Sequence, residues 1–559
     1  MVKKYIAGAL ALWLPLGVIA QAPAPATPPS PAPKLVIAIS VDQFSADLFD
    51  EYLPLFTGGL KRLAESGRAY SNGYQSHGAT ETCPGHSTIL TGDHPTRTGI
   101  IANNWIDQSV TRDDNHNVYC AEDESVPGST NKDYTVSSKH LRVPTLGDRL
   151  KALNPASRVV AVSGKDRAAV MMSGHHPDEI WWWTSRNGLY QFTSYDGRTM
   201  PAAVATANTT LDAMRKSGYS YPLPDACKSK IGEIDFGNYA IGVPRPAMTA
   251  DDPDIGKGLF THPMLDKLTL DAGLGLIKAM KLGQGSAPDV LALGLSVTDP
   301  VGHAFGTQGP EMCAQLLTLD QSLGNFLNGL DATGVPYLLV LTADHGDSDI
   351  PERKGAPADS RRIASNMRLS KMDFDVGDQL HIDQQLFLGD NDFSGNIYLS
   401  KALSPTQRQR AKAAAIHWLM AAKDANGVPW TQTVLTRQEI LAAPRPTAPP
   451  SEWTIAQKVA ASYDPARSGD LYAVMKKHVM VVSDPGPGYV MAHGSVWNYD
   501  RRVPILFYGQ GIKAARPSDE IETVDIMPTL AAMVGLKLAA GSVDGKCLRA
   551  VAGETCAAE

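Results

Sequence analysis

The 559 residues suffice for two to four domains at roughly 100–200 residues each, or for one large α/β body with insertions. Hydrophobic residues make up 43% and charged residues 19% of the chain, a balance that excludes intrinsic disorder. With 51 basic and 58 acidic side chains the net charge is -7, which excludes a general polyanion partner but permits a small anion wherever cations or metal ions cluster locally.

The first twenty residues, MVKKYIAGALALWLPLGVIA, combine Lys3 and Lys4 with an apolar run interrupted by Pro15 and with small residues Val18 and Ala20 at cleavage positions. This pattern predicts a secretory signal peptide over residues 1–20 and export to the periplasm or beyond. The run falls short of the roughly 20 apolar residues that span a bilayer, so no membrane insertion is expected after cleavage. Residues 21–33, QAPAPATPPSPAP, form a Pro/Ala-rich linker. Disulfides persist in exported proteins, and Cys83, Cys120, Cys227, Cys313, Cys547 and Cys556 can all pair. Cys547 and Cys556 are the easiest pair to propose, because they close a short loop. No CxxC pair is present, so a cysteine zinc site is not expected.

Downstream, short apolar runs each end in charged residues. KLVIAISV (34–41) is followed by Asp42, and RVVAV (158–162) leads into SGKDR with Lys165 and Arg167. DVLALGLSV (289–297) leads into TDPVGH with Asp299 and His303, and PYLLVL (336–341) into TADHGDS with Asp344 and His345. Val- and Leu-rich runs without polar alternation predict strands covered on both faces. Helices are expected at 144–153 and 318–330. The fold class is therefore α/β, a central mostly parallel sheet flanked by helices, with ligands gathering at the carboxyl ends of the strands. His493 precedes a fifth run at 503–508. The intervening stretch is too long for a loop, which predicts an inserted cap subdomain over about 346–490, with a second variable region over about 185–263, in a catalytic body spanning 34–559. The adjacent Trp181, Trp182 and Trp183 are expected to pack under a loop.

Carboxylates and imidazoles without thiolates suit zinc or a similar divalent ion. Asp299, His303 and His493 make one set with room for water or substrate, and Asp42, Asp344 and His345 make a second. In GATETCPGHSTILTG, Pro84 predicts a helix starting just after Thr82, so that the Thr82 hydroxyl meets free backbone N–H groups and a positive dipole end. Thr82 is the candidate nucleophile, since metal coordination can hold a threonine oxygen as an alkoxide.

TETCPGHSTILTG, HPTRTGIIANNWID, TDPVGH, TADHGD and HGSVWNYDRRVP together resemble the alkaline phosphatase superfamily, and within it the secreted, monomeric PafA-type bacterial alkaline phosphatases with a threonine nucleophile. The resemblance runs from Lys34 to the VDIMPTL segment near Asp525. It implies one zinc on Asp299, His303 and His493 and another on Asp42, Asp344, His345 and the Thr82 oxygen. It also implies phosphate contacts from Asn103, in preference to Asn104 by counting from the nucleophile, and from Lys165 and Arg167. The chain departs from the dimeric serine enzymes, having no clear carboxylate set for a magnesium ion, and from sulfatases, because Cys83 is followed directly by Pro84. DNDFSGNI (390–397) resembles the start of a structural calcium loop, but position twelve is Lys401 instead of Glu.

The ligand carboxylates Asp42, Asp299 and Asp344 and a Thr82 alkoxide would neutralise two zinc ions, leaving Lys165 and Arg167 to match a phosphate monoester dianion. The expected activity is therefore that of a zinc-dependent alkaline phosphatase, a phosphoric monoester hydrolase of broad specificity acting on small monoesters through a phosphothreonine. A phosphodiesterase or nucleotide pyrophosphatase on the same scaffold is the alternative, and a zinc- or phosphate-binding protein without turnover is the second.

Overall fold

Each apolar run expected as a strand is one. The computed structural model describes residues 1–4, 33–112, 116–392 and 395–556. Apart from Met1–Lys4 and Pro33, the expected signal peptide and linker lie outside them, as do residues 393 and 394 of the calcium-type run. Nine strands form the main sheet: β1 (Leu35–Val41), β2 (Arg68–Tyr74), β3 (Val159–Ser163), β4 (Glu179–Thr184), β5 (Gln191–Thr193), β6 (Asp289–Leu295), β7 (Tyr337–Thr342), β8 (Arg502–Gly509) and β9 (Ile521–Glu522), in the order β9-β2-β8-β7-β1-β6-β3-β4-β5.

The strands from β7 to β4 are parallel. Along β1, Leu35, Ile37 and Ile39 enter one apolar cluster while Val36 and Ala38 enter the other. Helices Met264–Met280 and Pro310–Asp331 cover the first face, with Leu276 and Leu323. Helices α1 (Thr82–Thr91) and α2 (Asp166–Ser173) cover the second, with Ile89 and Val170. Burial on both faces is why these strands read as unbroken apolar runs.

Register aligns the strand ends: Val41 pairs with Leu295, Ser40 with Thr342, and Gly294 with Ser163. Asp42, Lys165, Asp299 and Asp344 therefore emerge along one edge, the last but one at the start of α3 (Thr298–Phe305). β8 runs antiparallel to β7, with Leu506 opposite Leu341, so its first residues reach that same edge. His493 thus arrives there ahead of its strand, whereas the other candidate ligands follow theirs.

Three local readings change. The helix expected at 318–330 starts two turns earlier, at Pro310, whose fixed φ suits the first helical position. The helix expected from 144 starts at Leu146, after the capping box of Thr145 and Asp148. The three tryptophans lie within β4, not under a loop, with Trp181 and Trp183 in one core and Trp182 in the other. Between β7 and β8 the chain builds a separate four-stranded sheet, in the order Phe387–Gly389, Asn396–Leu399, Leu471–Met475, Thr431–Thr436, with its own apolar centre around Met372, Phe387, Ala415 and Leu471. Residues of the 185–263 stretch, including Phe192, Val204 and Leu211, instead enter the core of the main sheet. Among the described residues no helix is long and apolar enough to cross a membrane.

The cysteines pair as Cys83–Cys120, Cys227–Cys313 and Cys547–Cys556. The C-terminal segment is also held by charge, since His94 Nδ1 lies 3.1 Å from Asp544 Oδ2 and His94 Nε2 3.3 Å from Glu522 Oε2. Burial pushes the imidazole down, but Asp544 and Glu522 oppose it and hold its pKa up to about 10, against the usual 6.5. A folded-state pKa above the unfolded one contributes stability that is complete below about 6.5 and is lost as pH rises through about 10. His94→Gln is accordingly expected to lower the melting temperature at pH 6 by the equivalent of about 2 kcal/mol and to flatten its decline between pH 7 and 10.5. Parallel melting curves for variant and parent across that range would contradict it.

Candidate active site

The helix carrying the candidate nucleophile begins one residue earlier than expected. Thr82 is itself its first residue, and Glu81 occupies the cap position in extended backbone. Glu81 makes no side-chain cap; its Oε2 accepts from the Asn103 backbone N–H at 2.7 Å. The N–H of Cys83 donates instead to Asn103 Oδ1 at 2.8 Å. Asn103 is thereby fixed beside the first turn of α1, while Asn104 is exposed, its Oδ1 accepting from Asn131. α1 approaches β7 so closely that a Cβ at Gly85 would lie 2.0 Å from the Asp344 carbonyl oxygen. Glycine in CPGH is what lets the helix of the candidate nucleophile touch the strand end bearing two candidate ligands.

The structure brings Asp42, Asp344 and His345 within ligand reach of one another, as expected, while Asp299 and His493 converge with His345, and His303 joins them through Asp299. Asp299 Oδ1 lies 3.2 Å from His303 Nε2 and 3.4 Å from His493 Nε2. His345 Nε2 lies 3.5 Å from Asp42 Oδ1 and 3.4 Å from Asp344 Oδ2. The two sets adjoin, because the rings of His345 and His493 stack at 3.7 Å, and His345 also groups with Asp299 and His493 within ligand reach. Each imidazole is turned by a backbone carbonyl on its Nδ1: His303 by Met491 at 2.7 Å, His345 by Gly346 at 3.0 Å and His493 by Thr80 at 2.8 Å. A proton held on Nδ1 leaves the Nε2 lone pair facing the site, the arrangement that orients metal-ligating histidines.

Metal ions fit these residues on their own evidence. Asp42 Oδ1 and His345 Nε2 are buried with no hydrogen-bond partner among the described residues, while Asp42 Oδ2 faces Lys165, Asp299 Oδ1 faces His303 and His493, and Asp344 Oδ2 faces His86. Three buried carboxylates, Asp42, Asp299 and Asp344, converge around the single ammonium of Lys165, and such an excess of buried negative charge is costly unless further cations join it. Burial and then the Asp344 charge push Asp42 up to about 6. Burial also raises Asp299, but Lys165 and His303 overcome it and hold the carboxyl well below the usual range. Burial lowers His493, yet its bond to Asp299 lifts it to about 9, and His345 is driven well down by burial and by His493.

The two cations occupy different places. Lys165 Nζ bridges the ligand sets, 2.7 Å from Asp42 Oδ2 and 2.5 Å from Asp299 Oδ2. Arg167 Nη2 stands 3.4 Å from Thr82 Oγ1. A cavity of about 480 Å³ opens at the His303 and His493 side, bordered by Glu81, Asn103, Trp105 and Tyr489. Sequence reasoning assigned no role to His86, whose Nδ1 lies 2.9 Å from the Thr82 carbonyl and 3.2 Å from Asp344 Oδ2. Its spacing of four from Thr82 on α1 was the available signal. Cys83 is in a disulfide, which separates this site further from a modified-cysteine sulfatase centre.

A mostly parallel sheet with buried carboxylate and imidazole sets at its carboxyl edge and a hydroxyl at a helix start defines a metal-dependent hydrolase scaffold. Residues 36–496 match the type I phosphodiesterase/nucleotide pyrophosphatase family, and the chain belongs to that family, within the alkaline phosphatase superfamily. It is 44% identical to the alkaline phosphatase PhoK of a Sphingomonas species over 100% of both chains. It is 43% identical to the alkaline phosphatase PhoD of Zymomonas mobilis over 96% of this chain and 91% of that one. The crystal structure of wild-type alkaline phosphatase PafA superimposes with a TM-score of 0.76 at 26% identity, covering 94% of this chain and 99% of its own.

Proposed function

We propose that this protein is an exported, monomeric alkaline phosphatase that hydrolyses small phosphate monoesters by way of a phosphothreonine at Thr82. The observation that carries the reading is the Thr82 hydroxyl at the first position of α1, with Arg167 Nη2 3.4 Å away and two buried ligand sets beside it. A binding protein without turnover would need the ligands and not the hydroxyl. Full-length identity to two alkaline phosphatases favours monoester over diester hydrolysis, the second activity named for the family.

Two zinc ions suit the donors, one on Asp299, His303 and His493, the other on Asp42, Asp344, His345 and Thr82. When bound they supply Lewis-acid charge for the attacking and leaving oxygens. The chain's own residues do the rest. Thr82 Oγ1 attacks phosphorus in line, its position set by the first turn of α1, and the alcohol departs from the opposite side toward the cavity. Arg167 takes non-bridging oxygens from the side of Thr82, and the Asn103 carboxamide, pinned through Oδ1 to the Cys83 N–H, presents its NH₂ group to them. Water then attacks the phosphothreonine from the vacated side and returns Thr82 to its starting state. These contacts grip the phosphoryl group and leave the alcohol free, so specificity is broad.

Chelation is expected to abolish hydrolysis of a chromogenic aryl monoester and to lower the melting temperature by several degrees, since carboxylates gathered without cations repel. Zinc is expected to restore both. Full turnover in a preparation verified as metal-free by elemental analysis would overturn the metal-dependent reading.

A further inference from the structure

Arg167 carries its charge on a long flexible stem, and its Nε has no partner among the described residues. Something else must aim it. Asp166, the first residue of α2, is the hub of the neighbouring contacts, and a carboxylate there is favoured by the helix dipole. Its Oδ1 accepts from the Arg167 backbone N–H at 2.7 Å and from the Tyr119 hydroxyl at 2.7 Å, and its Oδ2 accepts from the Tyr134 hydroxyl at 2.6 Å. These neutral donors engage both oxygens of the carboxylate, and the Tyr119 hydroxyl also meets the Arg167 side chain, whose Nη2 reaches Thr82.

Tyr119 is itself firmly held. Its backbone N–H donates to Glu122 Oε1 at 2.8 Å, Glu122 is paired with Arg112, and its ring lies 4.4 Å from that of Tyr134. The next residue, Cys120, is bonded to Cys83, which directly follows Thr82. A closed circuit results: Thr82 to Cys83, across the disulfide to Cys120, back one residue to Tyr119, and through its hydroxyl to Asp166 and Arg167, which returns to Thr82.

We propose that Tyr119 and Asp166 are positioning residues that aim Arg167 at the Thr82 hydroxyl, and so set how strongly the enzyme prefers monoesters over diesters. This rests on the reading of Arg167 as a phosphate contact. Neither residue touches substrate. They act by holding a charge where the dianion's extra oxygens arrive.

Tyr119→Phe removes one hydroxyl and keeps the ring and the disulfide. In the metal-loaded enzyme it is expected to lower kcat/KM for an aryl phosphate monoester by about tenfold, to change the matched diester by less than about twofold, and to weaken inhibition by inorganic phosphate in proportion to the monoester loss. The melting temperature is expected to stay within a degree or two of the parent. Asp166→Asn, which keeps the shape and one acceptor oxygen, is expected to produce the same discrimination, and Tyr134→Phe a smaller version of it. Arg167→Ala is measured beside them. If Arg167→Ala discriminates and both Tyr119→Phe and Asp166→Asn do not, or if those two harm both substrates equally, the positioning role is overturned while the phosphate reading stands. If Arg167→Ala itself fails to discriminate, the phosphate reading falls and this inference with it.

Discussion

Thr82→Ala is expected to remove turnover of an aryl phosphate monoester by at least about a thousandfold while both ligand sets keep their metal. The nucleophile's loss takes one oxygen from the site, but Asp42, Asp344 and His345 on one side and Asp299, His303 and His493 on the other are all protein side chains that remain in place. Three of them are imidazoles already turned by Met491, Gly346 and Thr80. Elemental analysis of the purified variant is expected to match the parent, which separates a missing nucleophile from a collapsed site. Thr82→Ser preserves a hydroxyl at the helix start and is expected to retain measurable activity. Rapid acid quench of the parent with labelled substrate is expected to trap phosphate on Thr82. Trapping on another residue, or undiminished turnover by the alanine variant, would show that a different group attacks phosphorus.

How far the site was legible in the sequence follows from where its parts lie on the chain. Asp42, Asp299 and Asp344 stand within a few residues of strand ends, so an unbroken apolar run followed by an acid marks them without any knowledge of pairing. Parallel register then brings those ends to one edge, and this too follows from the two-sided burial that the runs imply. His493 was marked by its place ahead of an apolar run, since its strand is antiparallel and the usual rule of looking after a strand points away from it. The start of α1 was misplaced by one residue because Glu81 is not a preferred cap and serves Asn103 instead. Tyr119 and Asp166 went unassigned for a further reason: their partners lie on other elements or depend on the disulfide, and no local spacing reports a hydroxyl from residue 119 reaching a carboxylate at 166.

Replacing Lys165 and Arg167 together with alanine is expected to cut monoester kcat/KM by roughly a hundredfold to ten-thousandfold and diester kcat/KM by less, the part common to both substrates being that of Lys165. A charge-assisted hydrogen bond partly shielded from water contributes about 1.5–3 kcal/mol, and two of them, if additive, span that range. A monoester brings a second negative charge and extra free oxygens to these cations; a diester places an ester group there. The structure divides the two contributions. Lys165 holds ligand carboxylates at 2.7 and 2.5 Å, so its removal is expected to loosen both metal sets and to harm the two substrates more evenly. Arg167 faces Thr82 at 3.4 Å and pairs with no ligand carboxylate, so Arg167→Ala carries most of the selectivity, with a monoester loss of about tenfold to a hundredfold. The single variants, assayed on a matched aryl monoester and diester with metal content checked, separate reading of substrate charge from support of the metal sets. Equal losses on both substrates for Arg167→Ala would mean that the guanidinium shapes the site and does not read charge, and behaviour like the parent on both would leave it a solvated strand-end group.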